Sequence, residues 1–160
     1  MASTAGWRDG LTTGDGRFSD TATTFHVARL AGLWRVLLDR ALRPHDMTLA
    51  TMRPLAYLMM LPDGISQREL ALAMNADTST LVRVLDGLER DALIERRPAP
   101  TDRRTNQLRL TPAGRRTGAQ FQEIAAALER RLLAGIEAEA PLLNTLMARL
   151  LSNAEALPDA

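Results

Sequence analysis

Apolar residues recur every three or four positions along much of the chain, which is the spacing of helices that bury one face. One such stretch runs from about Thr23 to Leu42 and stops before Pro44, and the next runs from about Thr48 to Leu61. Pro54 lies inside the second stretch, and because proline has no backbone N–H it predicts either a kink or a later helix start. The chain is therefore predicted to begin with two helices of unequal length.

A pair of shorter helices follows, and both have clear start signals. The sequence SQRE at 66–69 has the form of a capping box, in which the hydroxyl and the carboxylate bind free backbone N–H groups at a helix start. Asn75 tolerates the left-handed conformation that ends helices, and Asp77 can cap the next helix, which runs to about Arg90. Two short helices joined by a tight turn form a helix-turn-helix pattern.

The periodicity changes after this pair of helices. The segments LIERR and NQLRL are short, and in the second of them Leu108 and Leu110 alternate with polar residues, as in a strand with one buried face. A loop separates the two segments, which together predict a hairpin. Thr111 followed by Pro112 predicts another helix start, and a last helix begins near Pro141. The predicted fold is mainly α with a small β-hairpin, a winged helix-turn-helix with further helices on both sides.

Composition argues against several kinds of site. The chain of 160 residues has no cysteine and two histidines, so we expect no disulfide scaffold, no thiol nucleophile, no metal cluster and no cofactor. No apolar run reaches the roughly 18 residues of a membrane span, and residues 1–20 are rich in Gly, Ser, Thr and Asp, which is typical of a mobile arm. A soluble, cytoplasmic protein without membrane contact is expected. No carboxylate is spaced with a histidine or a phosphate loop in a way that proposes a reaction, so no enzyme activity is expected.

Positive charge is concentrated in one segment of the chain. Residues 96–116 contain seven arginines against one acid, Asp102, a net charge of +6, which leaves −5 for the remainder of a chain whose net charge is +1. This asymmetry favours a localised face that binds anions, although a solvated surface is the usual explanation of a run of charges.

Two groups of residues are candidates for DNA contact. In a helix-turn-helix the first turns of the second helix enter the major groove, which indicates Thr78, Ser79, Thr80 and Arg83. Helix capping by the hydroxyls and a solvated arginine explain this group about equally well. The second group is at the tip of the predicted hairpin, where an arginine on a narrow extension fits the minor groove. The alternative there is an exposed loop without a partner.

The segment ISQRELALAMNADTSTLVRVLDGLERDALIERRPAPTDRRTNQLRLTPAGRR resembles the DNA-binding core of the MarR family of transcriptional regulators. Upstream, ARLAGLWRVLLDRALRPHDMT is similar to the SlyA-like branch, and the resemblance covers about 27–116. It implies a homodimer on a palindromic operator in double-stranded DNA. The chain then divides into the mobile arm (1–20), an N-terminal dimerisation helix (21–47), the winged helix-turn-helix (48–111) and C-terminal dimerisation helices (112–160).

The resemblance also implies roles for single residues. Arg83 matches the recognition-helix arginine, and Arg103 matches the wing arginine that enters the minor groove. Asp102 and Arg104 match the salt-bridge pair that shapes the wing, and Arg104 is a further candidate for DNA contact. Ala92 departs from the glycine usual in the family after the recognition helix. Either this alanine adopts a positive φ at a cost of roughly 1 kcal/mol, or the turn differs here.

Members of the family often respond to small aromatic carboxylates bound between the dimerisation helices and the DNA-binding lobe. Arg35 matches an arginine that can pair with such a carboxylate. The candidate cleft around it is formed by Trp34, Met52, Tyr57 and Met59, although residues at helical spacing are more often simple core. The resemblance thus implies a repressor that a ligand releases from DNA. The alternative is a winged helix that binds an acidic protein partner.

Overall fold

The structure is a computed structural model that describes residues 21–98 and 106–158. In that part of the chain it contains helices and strands in the following order: α1 (Ala22–Leu42), α2 (Leu49–Met60), α3 (Gln67–Ala73), α4 (Thr78–Arg90), β1 (Ile94–Pro98), β2 (Asn106–Leu110), α5 (Pro112–Leu132) and α6 (Ala140–Glu155). The prediction of a mainly helical fold with one hairpin is confirmed. The predicted arm at 1–20 lies outside the described residues, as do the wing residues Asp102, Arg103 and Arg104.

Helices α1 and α2 are joined by a short 3-10 turn at Arg43–His45. The hydroxyl of Thr48 caps α2 by accepting the backbone N–H of Thr51 at 3.3 Å. The helix continues through the buried Pro54, so the alternative of a later start is wrong. Proline cannot donate to the carbonyl of Ala50, but Ala50 is exposed and water can take the place of that donor.

Helix α3 begins and ends as its sequence predicts. The Ser66 hydroxyl accepts the N–H of Glu69, and the Glu69 carboxylate accepts the N–H of Ser66 at 2.6 Å, which completes the capping box. Its end is a Schellman turn, because Asn75 has a φ of 45° and the N–H of Ala76 reaches back to the carbonyl of Ala71 at 3.0 Å. These two ends fix the short helix that precedes α4.

Helix α4 ends in the same kind of turn, with an alanine at the left-handed position. Ala92 has a φ of 54°, and its N–H and that of Leu93 donate to Glu89 and Leu88 at 3.0 and 2.9 Å. The alternative that the turn differs here is therefore wrong. The hydrogen bonds show that the chain makes the usual Schellman turn with an alanine, whose Cβ opposes that conformation.

The hairpin pairs β1 with β2 in antiparallel register, from Ile94 opposite Leu110 to Pro98 opposite Asn106. Leu108 and Leu110 are buried, as the alternation predicts, and Ile94 of β1 is buried with them. The N–H of Leu108 also donates to the carbonyl of Ile65 at 2.8 Å, so the segment before α3 pairs with the hairpin. This hydrogen bond attaches β2 of the hairpin to the start of the helix-turn-helix.

Helix α5 starts against the turn that follows α4. The Thr111 hydroxyl accepts the N–H of Gly114 at 3.0 Å and donates to the carbonyl of Ala92 at 2.7 Å. The backbone N–H of Thr111 donates to the carbonyl of Leu93 at 3.1 Å. The end of α4, the hairpin and the start of α5 therefore meet at one junction.

The buried core lies between α2, the helix-turn-helix, the hairpin and the first half of α5. Its largest fully buried side chains come from all of these elements except α5, together with the end of α1: Leu42, Leu55, Leu70, Leu85, Leu88, Ile94, Leu108 and Pro54. Among the described residues, no helix is long and apolar enough to cross a membrane.

Candidate nucleic-acid interface

The first turn of α4 is built around the carboxylate of Asp77. This carboxylate accepts the backbone N–H of Thr80 at 2.9 Å and the hydroxyl of Ser79 at 2.5 Å. The Ser79 hydrogen bond is the largest cause that lowers the pKa of Asp77, and the bonds from Thr80 add to it. The Ser79 hydroxyl therefore supports the capping interpretation, because its proton is used within the helix start. Thr78 and Thr80 are exposed beside it.

Arg83 lies one turn further along α4 and is exposed. Within residues 21–98 and 106–158, its guanidinium makes no hydrogen bond or ion pair. An arginine at this place presents several N–H donors in a planar fork, which matches either the O6 and N7 acceptors of guanine or a phosphate. The arrangement leaves Arg83 available to an external acceptor.

Arg96 ties the hairpin to α4. From β1 its guanidinium donates to Asp86 at 2.7 Å and to Glu89 at 2.5 Å, and its backbone N–H donates to Glu89 at 3.2 Å. Burial opposes the charge of this group, but the hydrogen bonds and charges of the two acids outweigh burial and raise the pKa of Arg96. These bonds fix the angle between the base of the wing and α4.

The basic segment is less positive in the folded chain than its sequence indicates. Arg96 is neutralised by two acids of α4, Arg97 pairs with Glu95 at 2.9 Å, and Arg115 pairs with Asp63 at 3.0 Å. Arg109 and Arg116 are exposed and make no ion pair within the part of the chain that the structure describes. Among the five described arginines of this segment, the positive charge without an acidic partner is therefore confined to Arg109 and Arg116.

A cavity of about 520 Å³ lies between α1, α2 and α5 and reaches the turn of the helix-turn-helix. Trp34, Arg35 and Tyr57 line it, as the candidate cleft proposes. Met52 and Met59 do not line it, because Met52 is buried in the core and Met59 packs against Gly118 of α5.

Sequence reasoning missed one charged residue of this cavity, Arg53. Its guanidinium lies over the ring of Tyr57, 5.7 Å from the ring centre, and donates to the carbonyl of Met74 at 2.5 Å. The contact between Arg53 and Tyr57 does have a signal in the sequence, because residues four apart lie on one face of a helix. The contact with Met74 has no such signal, since 21 residues separate the two.

The terminal helices expose apolar side chains that a lone protomer leaves in water. Helix α6 contains no buried residue, and the leucines that recur along it are between 42% and 66% exposed. They are Leu142, Leu146, Leu150 and Leu151. Helix α1 exposes a similar set, formed by Leu30, Leu33, Val36 and Leu37. Contiguous apolar surface of this kind usually marks an interface with another protein.

The family model of the MarR family matches residues 45–105, which include the helix-turn-helix and the first strand of the hairpin. The solved structure of the transcriptional regulator PA3341 is 34% identical and superimposes with a TM-score of 0.75, over 84% of this chain and 99% of that protein. The chain belongs to the MarR family. Within this family of transcriptional regulators, α4 occupies the place of the recognition helix and the β1–β2 hairpin that of the wing.

Two solved structures of the transcriptional repressor CouR are also similar. CouR from Rhodococcus jostii RHA1 bound to p-coumaroyl-CoA is 25% identical, with a TM-score of 0.75 over 91% of this chain and 100% of CouR. The repressor CouR bound to a 23-mer DNA duplex is 26% identical, with a TM-score of 0.69 over 82% of this chain and 91% of CouR. MarR itself from E. coli is 26% identical, with a TM-score of 0.69 over 78% of this chain and 93% of MarR.

Proposed function

We propose that this MarR-family regulator is a homodimeric repressor that binds an inverted-repeat operator and is released by a ligand. The observation that carries the proposal is the exposed Arg83 one turn into α4, which has no partner among the described residues and lies beside a wing whose angle is fixed by Arg96. A structure of the similar repressor CouR bound to a 23-mer DNA duplex supports DNA binding. A regulator of this kind acts at the chromosome, so we propose a cytoplasmic location.

Base and backbone contacts are assigned to two elements. Helix α4 enters the major groove with Arg83 at base edges and the exposed hydroxyl of Thr78 near the phosphates, where hydroxyls are effective donors. Ser79 and Thr80 lie beside it, and the Ser79 hydroxyl donates to a phosphate only after it releases Asp77. The wing tip follows the adjacent minor groove with Arg103 leading, Arg104 beside it and Asp102 supporting the loop. The roles at the wing tip rest on the family resemblance, since those residues lie outside the described part of the chain.

The second protomer covers the exposed apolar residues of α1 and α6. A dimer also matches the recognition mode, because two recognition helices about one DNA turn apart read the two halves of a palindrome. Sedimentation of the purified protein at micromolar concentration tests this point, and a monomer at that concentration would contradict it. The segments 21–47 and 112–160 are on this account the dimerisation segments, and 48–111 is the DNA-binding segment.

The effector is proposed to be a small aromatic carboxylate in the cavity lined by Trp34, Arg35 and Tyr57. Two aromatic side chains and an arginine offer an apolar slot with a cationic end, which suits an aromatic acid. A ligand with a coumaroyl group is bound in CouR. We also propose that the chain belongs to the SlyA-like branch, because the sequence of its α1 segment resembles that branch.

The test is binding of the purified protein to its own promoter region against a scrambled duplex of the same composition. Specific affinity of about 10⁻⁸ M or tighter and a steep loss of affinity with salt are expected. Arg103→Ala should weaken binding more than the matched Arg8→Ala in the arm. Equal affinity for both duplexes, together with a stable complex with an acidic protein, would favour the protein-interaction alternative.

A further inference from the structure

The carbonyl of Met74 ends α3 at the turn that leads into the recognition helix α4. The last carbonyls of a helix have no partner within the helix, so each needs a donor from elsewhere. Met74 is buried, and the donor is the guanidinium of Arg53 from α2 at 2.5 Å. One charged side chain thus joins α2 to the turn of the helix-turn-helix.

Arg53 lies between the ligand cavity and the start of the recognition helix. On one side it lines the 520 Å³ cavity together with Arg35 and Tyr57. On the other side it lines a smaller cavity of about 260 Å³, whose wall includes Asp77 and Thr80 of the first turn of α4. A displacement of this guanidinium therefore changes the surroundings of both the cavity and the helix start.

The larger cavity favours anions. Arg35 and Arg53 are the two charged residues in its described lining, and no acid is among the other lining residues. The Arg35 Nε donates to the carbonyl of Ala31 in its own helix at 3.3 Å, and its other donors have no partner among the described residues. A carboxylate accepts a stronger hydrogen bond from a guanidinium than a neutral carbonyl does, so a bound anion competes with Met74 for Arg53.

We propose that Arg53 is the positioning residue that couples the ligand cavity to the recognition helix. Its hydrogen bond to the Met74 carbonyl holds the turn in the DNA-binding arrangement, and an aromatic carboxylate in the cavity draws the guanidinium away and weakens operator binding. The inference rests on the proposed function, because it requires both an operator and an anionic effector. It adds the residue through which the effector acts, and Arg53 itself does not touch DNA.

The first experiment measures operator affinity over a series of salt concentrations for wild type, Arg53→Met and Arg53→Lys. Arg53→Met keeps the apolar stem and loses the donor, so operator binding should weaken about tenfold. The slope of affinity against salt should not change, since no phosphate contact is removed. Arg53→Lys should recover most of the affinity because its ammonium still donates. Arg40→Met on α1, exposed and unbonded within the described residues, is the matched control and should bind like wild type.

The second experiment adds benzoate or p-coumarate, with benzamide as the neutral control. Either acid should weaken operator binding by wild type several-fold, while benzamide should not, and Arg53→Met should show no response to either acid. A wild type that binds the operator but ignores both acids would overturn the coupling. Equal affinity of wild type and Arg53→Met, or a salt slope reduced by about one in Arg53→Met, would overturn the positioning role. A wild type without preference for any operator would instead refute the proposed function.

Discussion

Gly114, in the first turn of α5, gives the most informative stability test of the junction. Alanine favours a helix by about 1 kcal/mol over glycine, so from sequence alone Gly114→Ala should stabilise the protein. In the structure an added Cβ would lie 1.9 Å from the carbonyl oxygen of Leu93 and 2.9 Å from its carbon. Backbone atoms cannot rotate away, so either α5 or the turn after α4 must move.

The magnitude follows from the contacts that such a movement breaks. The Leu93 carbonyl accepts the backbone N–H of Thr111 at 3.1 Å, and the Thr111 hydroxyl lies 3.2 Å from it. Each hydrogen bond contributes about 1 kcal/mol, and overpacking in a tight site costs about 1–3 kcal/mol. After subtraction of the helix preference, Gly114→Ala should destabilise the protein by about 2 kcal/mol and lower Tm by roughly 4–8 °C.

Urea unfolding at one fixed protomer concentration measures this change, because the stability of an expected dimer depends on concentration. The matched control is Gly87→Ala in α4, where an added Cβ meets no heavy atom within 4 Å. Gly87→Ala should stabilise the protein by up to about 1 kcal/mol. If Gly114→Ala is as stable as wild type, or if both variants shift in the same direction, the account of the junction is wrong.

Three further predictions concern the turn, the wing and the capping box. Ala92→Gly should stabilise the protein by about 0.5–1 kcal/mol in thermal unfolding, because glycine adopts the positive φ without steric cost, and a loss of stability would contradict the Schellman geometry. Arg96→Met should lower the free energy of unfolding by about 1 kcal/mol, and a double-mutant cycle with Asp86→Asn should give a positive coupling energy. If the losses of stability in the two single variants simply add up in the double variant, the ion pair contributes nothing. The backbone N–H of Ser66, and then its hydroxyl, lower the pKa of Glu69 in the folded protein below the ordinary value of 4.5. The Glu69 carboxylate therefore stabilises the fold above pH 4.5, and this stabilisation is lost as the pH falls through the pKa of the folded state. The stability difference between wild type and Glu69→Gln should therefore shrink on acidification below pH 4.5, and a difference that grows would refute the capping role.

The sequence predicts the helix ends well because the chemistry that sets them is local. The capping box at Ser66 and Glu69, the left-handed Asn75 and the Thr111 cap each involve groups within a few residues, so spacing along the chain carries the information. The same holds for the alternation that buries Leu108 and Leu110. Local hydrogen bonds and periodicity were therefore enough for the fold class.

Interactions between distant segments could not be predicted in this way. The charge count along 96–116 cannot show that Arg96 is neutralised by α4 or that Arg115 meets Asp63, 52 residues away. The cavity shows the same limit. Helix α2 is apolar on more than one side, so periodicity could not distinguish Tyr57, which lines the cavity, from Met52, which lies in the core.

The central claim, that α4 reads an operator through Arg83, is tested most directly by selection of binding sites from random duplexes with wild type and Arg83→Ala. Wild type should enrich an inverted repeat with half-sites about 10 base pairs apart. Arg83→Ala should lose the preference at one symmetry-related pair of positions, with a loss of about 1–3 kcal/mol in affinity. Failure of wild type to enrich any sequence, or an unchanged preference in Arg83→Ala, would contradict the account.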